Sequence, residues 1–284
     1  MGTLFDKLLL WEYIYNHRFA NFGATATIIP LVDPAIARIN ATAHNTKVSN
    51  ASGSDQAVTL SAAPSGWSTP FDLILAADPN VKSSARLHGP AGIPFLIFNG
   101  TSERATIPDA AYWSATLDAV SIVFCGFFVA TTGRQTVIAK SDEGGALDRE
   151  FSVHMTATET LQFIEYDETA DGNISRATDA AVALSVPLHC AVTMDTGATM
   201  ANAVWYVNGA STASTAATSG TFVTVQDRTS VVSIGSDNAS TPGQYLNGSG
   251  LYGGPFGIAF VQAQLTAAQV KKDYDLWRAA MGIG

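Results

Sequence analysis

The sequence is poor in charge, above all in positive charge. Only 14% of its 284 residues are charged, and 24 acidic side chains outnumber 15 lysines and arginines, which gives a net charge of −9. Such a balance provides no basic surface for phosphate backbones or for anionic lipid headgroups. We therefore expect neither nucleic acid as a partner nor insertion into a membrane.

Cysteine and long apolar runs are also scarce. Cys125 and Cys190 are the only cysteines, and each lies in an apolar run typical of a strand, without metal or redox spacing. Buried thiols are the expectation; a disulfide requires that the fold bring the two together, and a cytoplasmic origin argues against it. Near the N-terminus Asp6, Lys7 and Glu12 interrupt the apolar residues. The prediction is a chain made in a cytoplasm without an export signal.

An amphipathic helix and a weakly patterned arm are predicted at the N-terminus. Apolar residues recur at spacings of three and four between residues 4 and 22. Residues 23–66 are mostly small and polar with scattered prolines, a composition that does not fold alone. We assign residues 1–70 to assembly or anchoring on a partner surface. The expected contact residues are Leu4, Leu8, Trp11, Tyr15 and Phe19.

From about residue 71 onward, short strands alternate with turn signals. VWYVNG ends in Asn208-Gly209, the dipeptide that best supplies the positive φ angles of a tight hairpin. SIVFCGFFV is apolar on both faces, whereas REFSVHM alternates, so central and half-exposed strands are both expected. Many short strands with such punctuation predict an antiparallel sandwich or barrel.

The last segment predicts one closing helix. Thr266 is a candidate N-cap and Gly282 a candidate terminator. Its apolar face is expected to consist of Val270, Tyr274, Trp277 and Met281.

The order of these motifs resembles the LamG-like domains of the concanavalin A-like lectin and glucanase superfamily. One departure is Leu188, which stands beside His189 where the family commonly has an aromatic residue. The resemblance implies an all-β, concanavalin A-like antiparallel jelly-roll sandwich over residues 71–284, extended by the helix and arm of residues 1–70 and closed by a short C-terminal helix. The matching stretches are PFLIFNGTSERATIPDAAYWSA, SIVFCGFFVATTGRQTVIAKSDE, PLHCAVTMDTGATMANAVWYVNG, SVVSIGSDN and YLNGSGLYGGPFGIAFVQAQLTAAQV.

The resemblance also implies where ligands would bind. Trp205 is either a core residue or, on the other face of its strand, a platform on which a sugar stacks. Related domains often hold calcium at a loop rim, so calcium is the one cofactor considered, with ordinary turn carboxylates as the alternative. The weak calcium candidates are Asp142, Asp195, Asp237 and Asn238.

A catalytic carboxylate pair is incomplete. Glu165 and Asp167 share one face of a predicted strand, as a glycan-cleaving pair requires. Ala170 stands where the laminarinase-like pattern E-x-D-x-x-E needs its second Glu. Asp167 and Glu168 are therefore interpreted as part of a charged, solvated hairpin tip, and we expect no enzyme.

Three functions remain as hypotheses. The first is a non-enzymatic structural protein of a bacteriophage virion, a capsid decoration or other exterior component, located on the particle after synthesis in the host cytoplasm. It would contact other virion proteins through the N-terminal arm, form homo-oligomers and touch host-surface glycans. The second is a carbohydrate-binding lectin or adhesin, with or without calcium. The third is a glycan hydrolase or lyase. The incomplete carboxylate pattern, with Ala170 in place of the second Glu, argues against it.

Overall fold

Within the residues that the structure describes, the fold consists of two α-helices and many short antiparallel strands. The helices are α1, which is helical at residues 13–14 and 16–22, and α2 (Ala267–Met281). The computed structural model describes residues 13–14, 16–23, 26–29, 45–50, 55–60, 95–100, 104–107, 109, 113–114, 119–130, 132–142, 148–195, 200–237 and 244–283. The strands within these ranges are β1 (Ala26–Ile29), β2 (Asn45–Asn50), β3 (Asp55–Leu60), β4 (Phe95–Asn99), β5 (Ala105–Ile107), β6 (Val120–Phe127), β7 (Gln135–Asp142), β8 (Asp148–Met155), β9 (Leu161–Asp167), β10 (Gly172–Thr178), β11 (Leu188–Met194), β12 (Val204–Val207), β13 (Ala210–Thr212), β14 (Ser214–Ser219), β15 (Val232–Ile234), β16 (Asn247–Tyr252) and β17 (Ile258–Val261).

The strands form a sandwich of two sheets. The sheet that we call helix-covered runs β13-β12-β11-β6-β17-β1, with β16 and β4 beside β6. The second, which we call polar-faced, runs β14-β10-β9-β8-β7-β15-β5. The hairpin β2–β3 joins them, because β2 pairs with β1 and β3 pairs with β5. The predicted all-β jelly-roll sandwich is confirmed.

The central strand β6 is buried on both faces. Ile122 and Phe124 point into the core between the two sheets. Val123, Cys125 and Phe127 point the other way, into clusters that the two helices complete. The run that is apolar on both sides therefore lies between two apolar layers, as its pattern predicts. Cys125 is a free buried thiol, as is Cys190 on β11, so the prediction of buried thiols is confirmed.

Helix α2 begins and ends as the sequence predicts. The Thr266 side chain accepts a hydrogen bond from the Gln269 backbone N–H, and the Gln269 side chain reciprocates, which completes a capping box. Gly282 ends the helix in the left-handed conformation, with φ 66°. The predicted apolar face is the one that packs on the sheet. Its buried residues are Val270, Asp273, Trp277 and Met281.

The β12–β13 hairpin turns at Asn208 and Gly209, as predicted. Their φ angles are 51° and 75°, the pair of positive values that a tight two-residue turn needs. A Cβ on Gly209 would lie 2.6 Å from Cδ1 of Tyr274, so glycine is required here for space as well. The turn therefore sits directly against α2.

A buried ionic network ties both helices to the helix-covered sheet. Arg18 of α1 donates to both carboxylate oxygens of Asp273 on α2, at 2.7 and 3.1 Å, and also to the carbonyls of Pro255 and Gly257. The other side of the same carboxylate lies 3.0 Å from Nε2 of His189 on β11. Burial alone would raise the pKa of Asp273, but Arg18 and His189 outweigh it and lower that pKa. Three distant parts of the chain thus meet at one carboxylate.

The predicted boundary between residues 70 and 71 is wrong as a structural division. Strand β1 pairs with β17, and β3 pairs with β5, so segments before residue 71 are strands of the sandwich. The sequence missed these strands because they are short and lie within a stretch of mostly small polar residues. Phe19 packs, half-buried, against a cluster of the same domain. The other four predicted arm contacts, Leu4, Leu8, Trp11 and Tyr15, and the strand expected at FDLILAADP lie outside the described residues.

The Arg18 network predicts that the N-terminal helix stabilises the domain. Replacing Arg18 with Met leaves Asp273 buried without its cation, so we expect a loss of about 3 to 5 kcal/mol in the free energy of unfolding by urea. Lys271→Met is the matched control, because it removes an exposed pair with Asp275 and an exposed contact with the Tyr274 ring, and it should cost at most about 1 kcal/mol. Equal effects of the two substitutions would contradict the assignment.

Candidate functional site

Trp205 is a core residue, so the alternative of a sugar-stacking platform is wrong. Its side chain is fully buried in the cluster between the sheets, and Nε1 donates a 2.9 Å hydrogen bond to the carbonyl of Arg176. A side chain with no exposed face offers no surface on which a sugar can stack.

The outer face of the polar-faced sheet is the candidate binding surface. In antiparallel sheets, directly paired residues point to the same side. One outward row crosses five strands and consists of Ser233, Ala139, Ser152, Ile164 and Ser175. The next outward row includes Thr136, His154 and Gln162. Inward rows such as Ile138, Val153 and Phe163 belong to the core. The register therefore separates an apolar inner face from a polar outer one.

Several hydroxyl groups on this face have no hydrogen-bond partner. The side-chain oxygens of Thr136, Ser141 and Ser233 are buried and unpaired. Buried polar groups are normally paired, because an unmade hydrogen bond costs free energy. These three groups are covered by protein, so ordered water is the partner that fits them, and a ligand on this face would contact the partly exposed side chains beside them.

Nitrogen-bearing side chains border these hydroxyls. His154 Nε2 lies 2.9 Å from Oε1 of Gln162, and Arg134 lies 3.4 Å from the Ser152 hydroxyl and 3.8 Å from the carboxylate of Asp237. Burial, and then the charge of Arg134, lower the pKa of His154 well below its usual value, which keeps the imidazole neutral. A neutral imidazole both donates and accepts, so the face offers each type of hydrogen-bonding group.

A second polar cluster lies at one end of the sandwich, around Lys140. Its ammonium is fully buried, contacts the Glu150 carboxylate, lies 2.8 Å from Oδ1 of Asp109 and donates to the Ser114 hydroxyl at 3.0 Å. A further carboxylate, Asp227, lies 3.4 Å away. Glu150 reaches Lys140 because the β7–β8 register shifts between residues 140 and 141. The alternation in REFSVHM would place Glu150 on the side opposite Phe151, and this bulge brings it to the side of Lys140 instead.

The charges of the Lys140 cluster are closely coupled. Burial alone would lower the pKa of Lys140, but Asp109 and Glu150 outweigh it and raise that pKa. Burial raises the pKa of Glu150 despite the opposing bonds from Lys140 and the Arg228 backbone. The lysine is thus an ammonium at rest, held beside a carboxyl group with increased proton affinity.

Glu165 lies on the inner face, in the apolar core. Its direct cross-strand partners are Phe151 and Ile174, both members of the core cluster, and neither carboxylate oxygen has a hydrogen-bond partner. Burial raises its pKa to about 8. Facing away from the polar surface, Glu165 cannot contact a glycan bound there.

Asp167 is a buried anchor, so its expected place in a solvated tip is wrong. Its carboxylate accepts hydrogen bonds from the backbone N–H groups of Thr169, Ala170, Val223 and Thr224. Burial alone would raise its pKa, but these bonds hold the pKa far below its usual range. The carboxylate joins the β9–β10 turn to the segment before β15. The turn itself, at residues 168–171, is where the sequence placed it.

The calcium candidates do not form a recognisable cation site. Within the described ranges, no group of three or more His, Cys, Asp or Glu side chains could hold a metal ion. Asp142 ends β7, Asp195 follows β11 and Asp237 follows β15, while Asn238 lies outside the described residues.

No described helix is long and apolar enough to cross a bilayer.

A family model identifies the class of protein. The Laminin_G_3 model of the concanavalin A-like lectin/glucanases superfamily matches residues 99–249, more than half of the chain. The chain therefore belongs to this superfamily. Among curated proteins, none matches the sequence significantly.

Solved structures share the fold at low identity. The sialidase of Trypanosoma rangeli in complex with 2,3-difluorosialic acid has a TM-score of 0.51 and 12% identity over 98% of this chain and 39% of the sialidase. The binding domain of Paraclostridial mosquitocidal protein 1 has a TM-score of 0.45 and 10% identity over 66% of this chain and 48% of that domain. The chain thus spans less than half of either structure. The sialidase likeness shows a common fold and nothing about activity.

The isolated carboxyl of Glu165 predicts a pH dependence of stability. Its pKa is about 8 when folded and about 4.5 when exposed, so between these values the unfolded chain has released a proton that the folded chain retains. The free energy of unfolding should therefore fall as pH rises from about 5 to 8, by up to about 1.4 kcal/mol per pH unit. Urea unfolding across this range should show a steeper fall in the native chain and in Asp195→Asn, an exposed control, than in Glu165→Gln. An equal slope in Glu165→Gln and in the native chain would contradict this assignment.

Proposed function

We propose that this chain is a non-enzymatic, lectin-like module that binds a glycan on the outer face of its polar-faced sheet. The observation that carries the proposal is the polar outer face, where the partly exposed side chains of Gln162 and Arg134 lie within hydrogen-bonding distance of His154 and Ser152. A polyhydroxylated ligand presents donors and acceptors that pair with such exposed groups.

The arrangement of the two sheets supports this choice of surface. Helices α1 and α2 pack on the outer face of the other sheet, where Val123, Phe127 and Tyr206 belong to clusters shared with them. That face is apolar and already covered. The polar-faced sheet instead has the partly exposed side chains of Gln162 and Arg134 beside its buried hydroxyls.

The positions of the carboxylates support binding without cleavage. A glycosidase needs two carboxyl groups that flank the scissile bond. Glu165 points into the core and Asp167 is saturated by backbone hydrogen bonds, so the candidate pair does not reach the proposed surface.

Glycan binding is tested on an array of bacterial and animal glycans, with and without calcium, followed by calorimetry on the best ligand. Gln162→Ala and Arg134→Ala should each weaken binding by about two- to tenfold, because each removes a partly exposed hydrogen-bonding group from the surface. Ser211→Ala is the control, since Ser211 is exposed on β13 of the other sheet. A blank array under both conditions, or equal losses in the control, would contradict the proposal.

We propose further that the module is an exterior component of a bacteriophage virion. The low charge and the abundance of small polar residues support this role. The described part of the N-terminal segment packs on its own domain, so contacts with other virion proteins would fall to residues near the start of the chain, including Leu4 and Leu8. The virion would be the place where the module meets host-surface glycans.

The virion role predicts a homo-oligomer held by the N-terminal residues. Light scattering of the full chain should give a mass that is a multiple of the monomer, and Leu4→Asp with Leu8→Asp should reduce it, because charge opposes burial of an apolar contact. Ser211→Asp serves as the control and should leave the mass unchanged. A native chain that is monomeric at all concentrations would argue against this role.

A further inference from the structure

The Lys140 cluster holds an amine and a carboxyl group in contact inside the protein. Nζ of Lys140 lies 2.8 Å from Oδ1 of Asp109, and its ammonium is fully buried. The carboxylate of Glu150, also fully buried, contacts the same ammonium. Proximity of this kind converts a bimolecular condensation into an intramolecular one and removes a large entropic barrier.

We propose that Lys140 and Asp109 become joined by an isopeptide bond. The bond forms between Nζ of Lys140 and Cγ of Asp109, and the bond that breaks is the one from Cγ to a carboxylate oxygen of Asp109. The product is a secondary amide and one molecule of water. This cross-link is independent of the proposed glycan binding.

Glu150 is positioned to carry the protons that the condensation requires. It accepts a proton from the Lys140 ammonium, which leaves a neutral amine as the nucleophile. It then delivers that proton to an oxygen of Asp109, and a second proton from Nζ follows the same route as the carbon–oxygen bond breaks. Of the three ammonium protons, one remains on the amide nitrogen and two leave in water, so Glu150 ends in its original state. The step needs no oxidant and no co-reactant.

Burial makes the neutral route accessible. Moving a proton from Lys140 to Glu150 turns two buried charges into two neutral groups, which reduces the cost of keeping charges away from water. The raised pKa of Glu150 favours the same transfer, whereas the raised pKa of Lys140 opposes it, so the neutral pair is a minor state from which the reaction proceeds.

Asp109 is the acyl partner that the geometry favours among the three carboxylates. Glu150 is fully buried, and one of its oxygens also accepts from the backbone N–H of Arg228, so it is held in place. Asp227 is farther away, at 3.4 Å, and accepts a short hydrogen bond from the Ser114 hydroxyl. Asp109 is one-third exposed, so the expelled water has a path to solvent.

The bond would connect two segments that no backbone pairing joins directly. Asp109 follows β5, whereas Lys140 lies near the end of β7, and β15 lies between these two strands. A covalent link there restricts the opening of this end of the sandwich, in the way that any cross-link restricts the unfolded chain.

The test is the intact mass of the purified full chain, denatured after incubation at neutral pH. We expect a mass below that of the sequence by one water molecule, and a branched peptide containing both Asp109 and Lys140 after protease digestion. A native mass equal to that of the sequence overturns the proposal, and this result does not depend on the folding of any variant. A branch from Lys140 to Glu150 or to Asp227 overturns the choice of Asp109.

Matched variants distinguish this bond from other dehydrations. Asp109→Asn should give the same final product by loss of ammonia instead of water, whereas Asp109→Ala and Lys140→Met should retain their full sequence masses. Glu150→Gln should slow the loss of mass, because an amide does not carry the proton. Asp227→Asn is the control and should still lose one water. Loss of water that persists in Lys140→Met would overturn the proposal.

Discussion

The burial of β6 on both faces is the constraint on which the rest of the structure depends. A strand with Ile122 and Phe124 on one side and Val123 and Phe127 on the other needs an apolar layer against each face. The polar-faced sheet supplies one layer and the two helices supply the other. Since α1 and α2 come from opposite ends of the chain, covering β6 brings both ends together, and Arg18 meets Asp273 as a result.

Buried charge marks the places where distant segments join. Arg18 bonds Asp273 across 255 positions of sequence, and Lys140 lies beside Asp227 across 87. With charged residues at only 14% of the chain, much of the available charge serves internal contacts. Among the described residues, the buried cations Arg18 and Lys140 each have a carboxylate partner, as the cost of desolvation requires. The carboxyl group of Glu165 has no such cation beside it, and it avoids this cost by retaining its proton, because burial in an apolar core raises its pKa.

Local sequence signals were sufficient to predict much of the fold. They did not predict most of the pairing between strands that are distant in sequence. Cap residues at Thr266 and Gly282 act within one turn of the helix, and Asn208-Gly209 acts within its own hairpin. Strands β1 and β3 have no comparable pattern, because backbone bonds to β17 and β5 place them. Period-two alternation showed correctly that Glu165 and Asp167 share a face, but only the register reveals that this face is the inner one.

The candidate site could not be predicted for the same physical reason. Ser152 and Ser233 are far apart in sequence and unremarkable as single residues, and they share a row only because β7 lies between β8 and β15. A bulge can likewise move one side chain across a sheet, as it does for Glu150. Polar residues on strands signal exposure to water when considered alone. The register groups them beside the partly exposed Gln162 and Arg134, and this grouping supports our proposal that the face recognises another polar molecule.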